Sequence, residues 1–221
     1  MYAAISADVV SSTTLSRESM IELTERLREG LRMLEGHYQG FWGRVVRGDS
    51  LECILDHPED ALEVAIILKT WVKAFEPTDV IKKERFSRYG LRVAIGIGDM
   101  NTNDRRLDMM DGEAIYRSGR ALDKLVGRAK YSFGISMEDS ENELTLQVIL
   151  TLVNQLLNNA TARKCETLCE RILASDTNAA AKKMGISVSG INQTLKDLGW
   201  TAIEQAILYY RNTVKRINND I

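Results

Sequence analysis

The chain has 221 residues, 44% of them apolar and 27% charged, with a formal net charge of −2. This composition suits a globular protein with one large domain or two modest ones, and it announces no nucleic-acid or membrane partner at the level of the whole chain. Cys53, Cys165 and Cys169 form no C-x-x-C pair, so neither a disulfide framework nor a thiol redox motif is expected. Cys165 and Cys169 lie four apart on a predicted helix and read as two small core hydrophobes sharing a face. Met1 runs straight into a predicted strand, and no apolar run approaches the ~20 residues of a membrane helix. The expected location is therefore the cytoplasm, with no membrane partner.

In chain order, Tyr2 to Val10 reads as a short buried strand, and the hydroxyls of Ser11 to Thr14 offer caps for the next helix. From Arg17 to about Tyr38, Met20, Leu23, Leu27, Leu31 and Leu34 recur at the three-to-four spacing of a helix face. Phe41 to Leu55 reads as a hairpin turning at Gly48-Asp49-Ser50. Pro58 opens a helix whose apolar stripe is Ala61, Leu62, Ala65, Leu68 and Val72. Residues 76–88 are charged and read as a loop or a short helix. Leu91 to Gly98 is a buried strand, Asp99 to Asp111 a surface loop, Gly112 to Val126 a helix and Tyr131 to Met137 a last strand. This order, β-α-β-β-α-β then α-β, predicts a ferredoxin-like α+β domain over residues 1–139, with one antiparallel sheet and helices on one face.

Residues 140–221 read as a small all-α domain. Two longer helices, Leu144 to Asn158 and Ala160 to Leu173, precede three shorter segments that end near Ile217. Asp176 to Asn178 supply caps for a short helix from Ala179 to Met184, which Gly185 ends. Ile186 and Ser187 make the turn into a helix from Val188 to Leu198. Its predicted buried face is Val188, Ile191, Leu195 and Leu198, leaving Ser189, Asn192, Gln193 and Lys196 outward. Asn and Gln suit an adenine edge, and the small Ala180 and Ala181 let two helices cross closely. The pattern resembles the helix-turn-helix of bacterial regulators. Up to Asp139 the chain has 20 basic and 23 acidic residues, and beyond it 9 and 8. The basic patch formed by Lys182, Lys183 and Lys196 is thin, and a helical hairpin serving only packing or dimer contacts is the alternative. Trp200 is expected to close the apolar core.

Two carboxylates draw attention in the first domain. Asp8 stands near the end of the first strand and Asp49 in the hairpin turn, points that a split β-α-β arrangement can set side by side. Paired carboxylates can hold Mg²⁺, and the backbone N–H groups of Val10, Ser11, Ser12 and Thr13 could meet phosphate oxygens. The run Ala7-Asp8-Val9-Val10-Ser11-Ser12-Thr13 resembles the A-D-[IV]-V-G-[FS]-T signature of class III nucleotidyl cyclases. Gly48-Asp49 resembles their second metal motif, Arg92 to Gly98 their R-[IV]-[GA]-[IV]-x-x-G strand, and Gly112 to Arg120 their G-x-x-V-N-x-A-x-R helix. The match spans about residues 2–137. With the terminal helix-turn-helix, the layout is similar to the SatD family of bacterial proteins.

That resemblance implies Asp8 and Asp49 as ligands of Mg²⁺ or Mn²⁺, a nucleoside triphosphate as ligand, Arg120 as the catalytic residue steadying charge on the reacting phosphate, and a homodimer. At the family's purine-reading positions this chain has Val45 and Met109, and Tyr116 replaces the helix Asn. The resulting expectation is a DNA-binding regulatory protein whose cyclase-like domain senses a nucleotide or metal. An enzyme performing nucleotidyl-cyclase-type chemistry and a non-catalytic interaction module are the alternatives.

Overall fold

A computed structural model describes residues 1–76, 83–104, 109–126 and 132–219. Strand β1 (Tyr2–Val9) is followed by a 3-10 turn over Ser12–Thr14 and helix α1 (Arg17–His37). The hairpin of β2 (Phe41–Arg47) and β3 (Ser50–Leu55) turns where expected, and α2 (Ala61–Lys73) follows a 3-10 turn begun by Pro58. Of the charged stretch, Lys83–Tyr89 forms a short helix, α3, while residues 77–82, Pro77 among them, lie outside the described residues. Strand β4 (Leu91–Gly98) comes next.

The expected surface loop after β4 is instead a small two-stranded ribbon of β5 (Met100–Asp104) and β6 (Met109–Gly112). Its polar sequence carries no inward alternation, so its strand character was hidden. Helix α4 (Glu113–Leu125) and strand β7 (Phe133–Ser136) complete the α/β part; Tyr131, placed in the last strand by the sequence, lies outside the described residues.

The main sheet has the order β2-β3-β1-β4-β7. β1 is antiparallel to both β3 and β4, but β7 joins β4 in parallel, so the sheet is mixed rather than wholly antiparallel. The helices also occupy both faces, not one. Odd-numbered residues of β1 (Ala3, Ile5, Ala7, Val9) join the large core with α1 and α2. On the opposite face Ala4 packs with Ala114 of α4, and Ala94 with Ala121 and Leu125. Gly96 explains the close approach: a Cβ there would lie 2.1 Å from the Ala114 carbonyl oxygen, so only glycine lets α4 rest directly on β4.

Five helices complete the described chain: α5 (Ser140–Asn159), α6 (Ala162–Leu173), α7 (Thr177–Met184), α8 (Val188–Leu198) and α9 (Trp200–Asn219). The last is 20 residues long, not a short segment. These helices share one apolar core with the sheet layer, because α2 is buried on every side. A helix apolar all round needs neighbours all round. α2 meets the sheet with one flank and α6 and α9 with the other. Tyr210 Oη of α9 donates to the Pro58 carbonyl at 3.0 Å, and Arg211 bonds Asp60 and Glu63.

Two buried lysines of α2 lie at this junction, and one of them, Lys73, crosses it. Lys69 is fully buried and donates to the carbonyls of Tyr89 (2.9 Å) and Leu91 (2.7 Å) and to Ser132 Oγ (2.8 Å). An ammonium has three N–H donors, and all three are used. Lys73 reaches the Leu157 and Asn158 carbonyls at the C-terminal end of α5, where the helix dipole favours a cation. No helix among the described residues is long and apolar enough to cross a membrane.

Candidate functional site

The sheet brings the backbone at Asp8 and Asp49 to one end of the β1–β3 pair. Asp8 lies opposite Ser50 in the register, and the next residue, Val9, donates its N–H to the Asp49 carbonyl at 2.9 Å. Asp8 points to the α4 side of the sheet, the side of Ser6, whose hydroxyl meets Ser118 Oγ of α4 at 2.8 Å.

The side chains are nevertheless engaged within the molecule. Arg92, directly across from Asp8 on β4, grips its carboxylate in a bidentate pair: Nε to Oδ1 at 2.9 Å and Nη2 to Oδ2 at 2.6 Å. Both side chains are about one-fifth exposed, at 22% and 23%. Asp49 accepts the Ser12 hydroxyl at 2.6 Å and the Ser50 hydroxyl at 3.3 Å. A divalent cation between the two aspartates would have to displace a guanidinium from a fork-on-fork contact, the strongest form of charge-assisted hydrogen bond. No cluster of three or more His, Cys, Asp or Glu able to hold a metal occurs among the described residues. As placed, these residues suit a salt bridge and a hydroxyl clamp, and they do not fit a resident Mg²⁺ or Mn²⁺.

The phosphate-loop expectation meets a related obstacle. The Val10 N–H, expected to face phosphate, donates to the Gly90 carbonyl at 2.8 Å, and the Ser12 hydroxyl is held by Asp49. Ser11 is left-handed (φ 60°), and the adjoining turn, Ser12 to Thr14, is too short to focus a helix dipole on an anion. Arg120 is exposed on α4. Tyr116, one turn before it, donates its hydroxyl to Asp111, which lowers that carboxyl below the usual range. A groove of about 470 Å³ opens at the other end of β4, lined by Gly98, Asp99, Glu113, Arg117 and Glu138, remote from the aspartates in the strand register.

The C-terminal site adheres to the sequence pattern more closely. Asp176 caps α7 by accepting the Ala179 N–H at 2.8 Å, and Gly185 ends it with φ +65°, a conformation costly for any residue with a Cβ. Ser187 then caps α8, accepting the Gly190 N–H at 3.1 Å. Ile191, Leu195 and Leu198 are buried; α6, α7 and α8 pack together around that face. Val188, expected among the buried residues, is 38% exposed at the first position of α8. Ser189, Asn192, Gln193 and Lys196 all face solvent. Gln193 Nε2 donates to Asp197 at 2.8 Å, so one of the four is partly engaged on its own helix. Asn192 and Lys196 border a cleft of about 240 Å³ shared with Arg171, Thr177 and Trp200. Trp200 is half-buried against the core with the Arg171 guanidinium 5.3 Å from its ring. Lys183 is tied to Glu170 at 2.7 Å, which thins the basic patch further.

Sequence reading missed three residues. Arg92 was visible as part of a strand motif, but its pairing with Asp8 depends on a register that only the sheet supplies. Lys69 and Lys73 stand four apart, off the apolar stripe of α2, and the sequence reading gave them no role. The single available signal was that Ala61–Lys73 is apolar on nearly every other face.

No family model matches the chain, and no curated protein does. Among solved structures it is similar to a bacterial light-regulated adenylyl cyclase, with 14% identity over 61% of this chain and 74% of that one and a TM-score of 0.44. A second structure of a bacterial light-regulated adenylyl cyclase gives 13% identity, 61% and 42% coverage, and the same TM-score. Likeness at this level says nothing of activity.

Proposed function

We propose that this chain is a DNA-binding regulatory protein of the SatD family type, in which α8 reads the major groove and the cyclase-like part serves as a regulatory body rather than an enzyme. The observation that carries the reading is the outward row Ser189, Asn192, Gln193 and Lys196 on a helix entered through the Gly185 turn and backed by α6 and α7. Such a row offers hydrogen-bond donors and acceptors to base edges while its buried face stays in the protein. Against catalysis stands the grip of Arg92 on Asp8, which holds one of the two aspartates away from metal-assisted phosphoryl chemistry. A nucleoside triphosphate, being an anion, would reach this end of the sheet by competing with Asp8 for the Arg92 guanidinium.

The test is fluorescence anisotropy with duplexes from the region upstream of the protein's own coding sequence, scanned over salt. Lys196→Ala should weaken binding to all sequences alike and flatten the salt dependence by about one phosphate contact. Asn192→Ala should cost about 1–3 kcal/mol on the preferred duplex and little on others. If neither change alters binding, α8 is not the reading helix.

A further inference from the structure

We infer that the cleft between α6, α7, α8 and α9 is a phosphate site, built on Arg171 and Lys196 and filled by a backbone phosphate of DNA lying against α8. This deepens the DNA reading and rests on it.

Four helices lend the cleft polar side chains. Arg171 comes from the last turn of α6, Thr177 opens α7, Asn192 and Lys196 stand one turn apart on α8, and Thr201 follows Trp200 at the start of α9. None of these five side chains has a hydrogen-bond or carboxylate partner among the described residues. Other arginines of the protein are matched to acids: Arg92 to Asp8, Arg211 to Asp60 and Glu63, Arg44 to Glu52. A carboxylate cancels the charge it meets. Arg171 is held instead by an aromatic ring, its guanidinium 5.3 Å from the Trp200 centroid. Such a contact orients the group and leaves its charge and its N–H donors available.

Charge decides the occupant. Among the described residues no Asp or Glu lines this cleft, whereas Glu63 and Glu204 line the adjoining hollow that shares Arg171 and Trp200. The acids next to it in the chain are engaged, Asp176 by the Ala179 N–H and Asp197 by the Gln193 amide. Two unmatched cations in one cleft repel, and an anion between them relieves the repulsion. α7 and α9 both begin at its edge, and the first N–H groups of a helix have no acceptor within it, so two helix ends add partial positive charge. A guanidinium fork, an ammonium, two hydroxyls and an amide offer more donors, from more directions, than the two oxygens of a flat carboxylate accept. A tetrahedral phosphate suits them better.

Size separates the sources of phosphate. The cleft holds about 240 Å³, below the ~300–1,000 Å³ of sites that enclose a whole small ligand, so it admits one charged group of something larger. Asn192 and Lys196 belong both to the cleft and to the outward row of α8, so that group is carried by the ligand α8 reads.

Two measurements test this. In the DNA-free full chain, tens of millimolar inorganic phosphate, against chloride at equal ionic strength, should raise the melting temperature of wild type more than that of Thr177→Glu. That change puts a carboxylate in the cleft at a helix start, where negative charge favours folding, and the comparison cancels the general stabilising effect of phosphate. Equal shifts would overturn the phosphate site. With duplexes, Arg171→Gln should weaken binding to every sequence about tenfold while the preference that depends on Asn192 persists. Because Arg171 and Lys196 hold one phosphate, Arg171→Gln combined with Lys196→Ala should lose less than the product of the two single losses. Losses that multiply, or no loss from Arg171→Gln while Asn192→Ala still alters the preference, would overturn this inference and leave the DNA reading standing. A phosphate response without binding to any duplex would sink the DNA reading, and with it the assignment of the phosphate to DNA.

Discussion

Arg92 determines what Asp8 can do. Its guanidinium uses both carboxylate oxygens, and the pair is mostly withdrawn from solvent without being fully buried. Removing one partner leaves a partly buried charge unmatched, so Arg92→Ala should lower stability by about 1–2 kcal/mol, less than the loss expected of a fully buried pair. The same change frees the Asp8 carboxylate. Millimolar Mg²⁺ or Mn²⁺ should therefore raise the melting temperature of Arg92→Ala more than that of wild type. A wild-type shift as large as the variant's would show that the pair opens readily for a cation. The sequence showed both aspartates and the end of the sheet that they share along the backbone, because strand and turn assignments suffice for that. The occupant of the gap was illegible, since it sits 84 residues away and reaches Asp8 only through the β1–β4 register.

At the scale of elements, α2 joins the two parts of the molecule. Burial lowers the Lys69 ammonium to about 7 from an ordinary 10.5, with the Lys73 charge adding to the effect, and burial lowers Lys73 to about 8. The unfolded chain holds these protons up to about pH 10.5, whereas the folded chain releases them from about pH 7 upward. The unfolded state thus binds more protons over this interval, and stability contributed by these groups rises with pH through it. The buried thiol of Cys53, pushed up from 9.0, acts in the opposite sense above about pH 9, so the clean interval is roughly pH 7 to 9. Denaturant unfolding across that interval should show a slope for wild type that Lys69→Met reduces by up to about 1.4 kcal/mol per pH unit. Equal slopes would mean that Lys69 is already neutral, or is reached by water, at pH 7. The helix itself was legible from its apolar stripe. Its complete burial was not, because periodicity identifies one face and cannot count the layers that cover the other.

One apolar core spans the whole molecule, although the sequence divides near Asp139 into an α/β part and a helical part. Lys73 holds the end of α5, Arg211 holds Asp60 and Glu63, and a single apolar core runs through both parts. Calorimetry of the full chain should give one transition, tracked equally by tryptophan fluorescence and far-ultraviolet circular dichroism. A fragment of residues 1–139 would expose the α6- and α9-facing flank of α2 and leave Lys73 without its acceptors on α5. It should lose near-ultraviolet circular dichroism and bind hydrophobic dyes, the marks of lost tertiary packing. Two separate transitions, or a well-packed fragment, would show that the shared core contributes little.

By itself the sequence determined what is local. Hydrophobic spacing placed α1, α2 and the core of α8; glycine and cap residues placed the turns at Gly48, Gly185 and Ser187; and the outward row on α8 came from the helical period alone. Tertiary structure decided whatever needs two distant segments to meet: the parallel docking of β7, α4 on the second face of the sheet, the β5–β6 ribbon, the capture of Asp8 by Arg92 and the burial of Lys69 and Lys73. The division has a physical cause. Backbone periodicity and capping act over a few residues and leave their mark in the order of side chains, whereas register and layer stacking are set by which apolar surfaces remain to be covered once the elements exist.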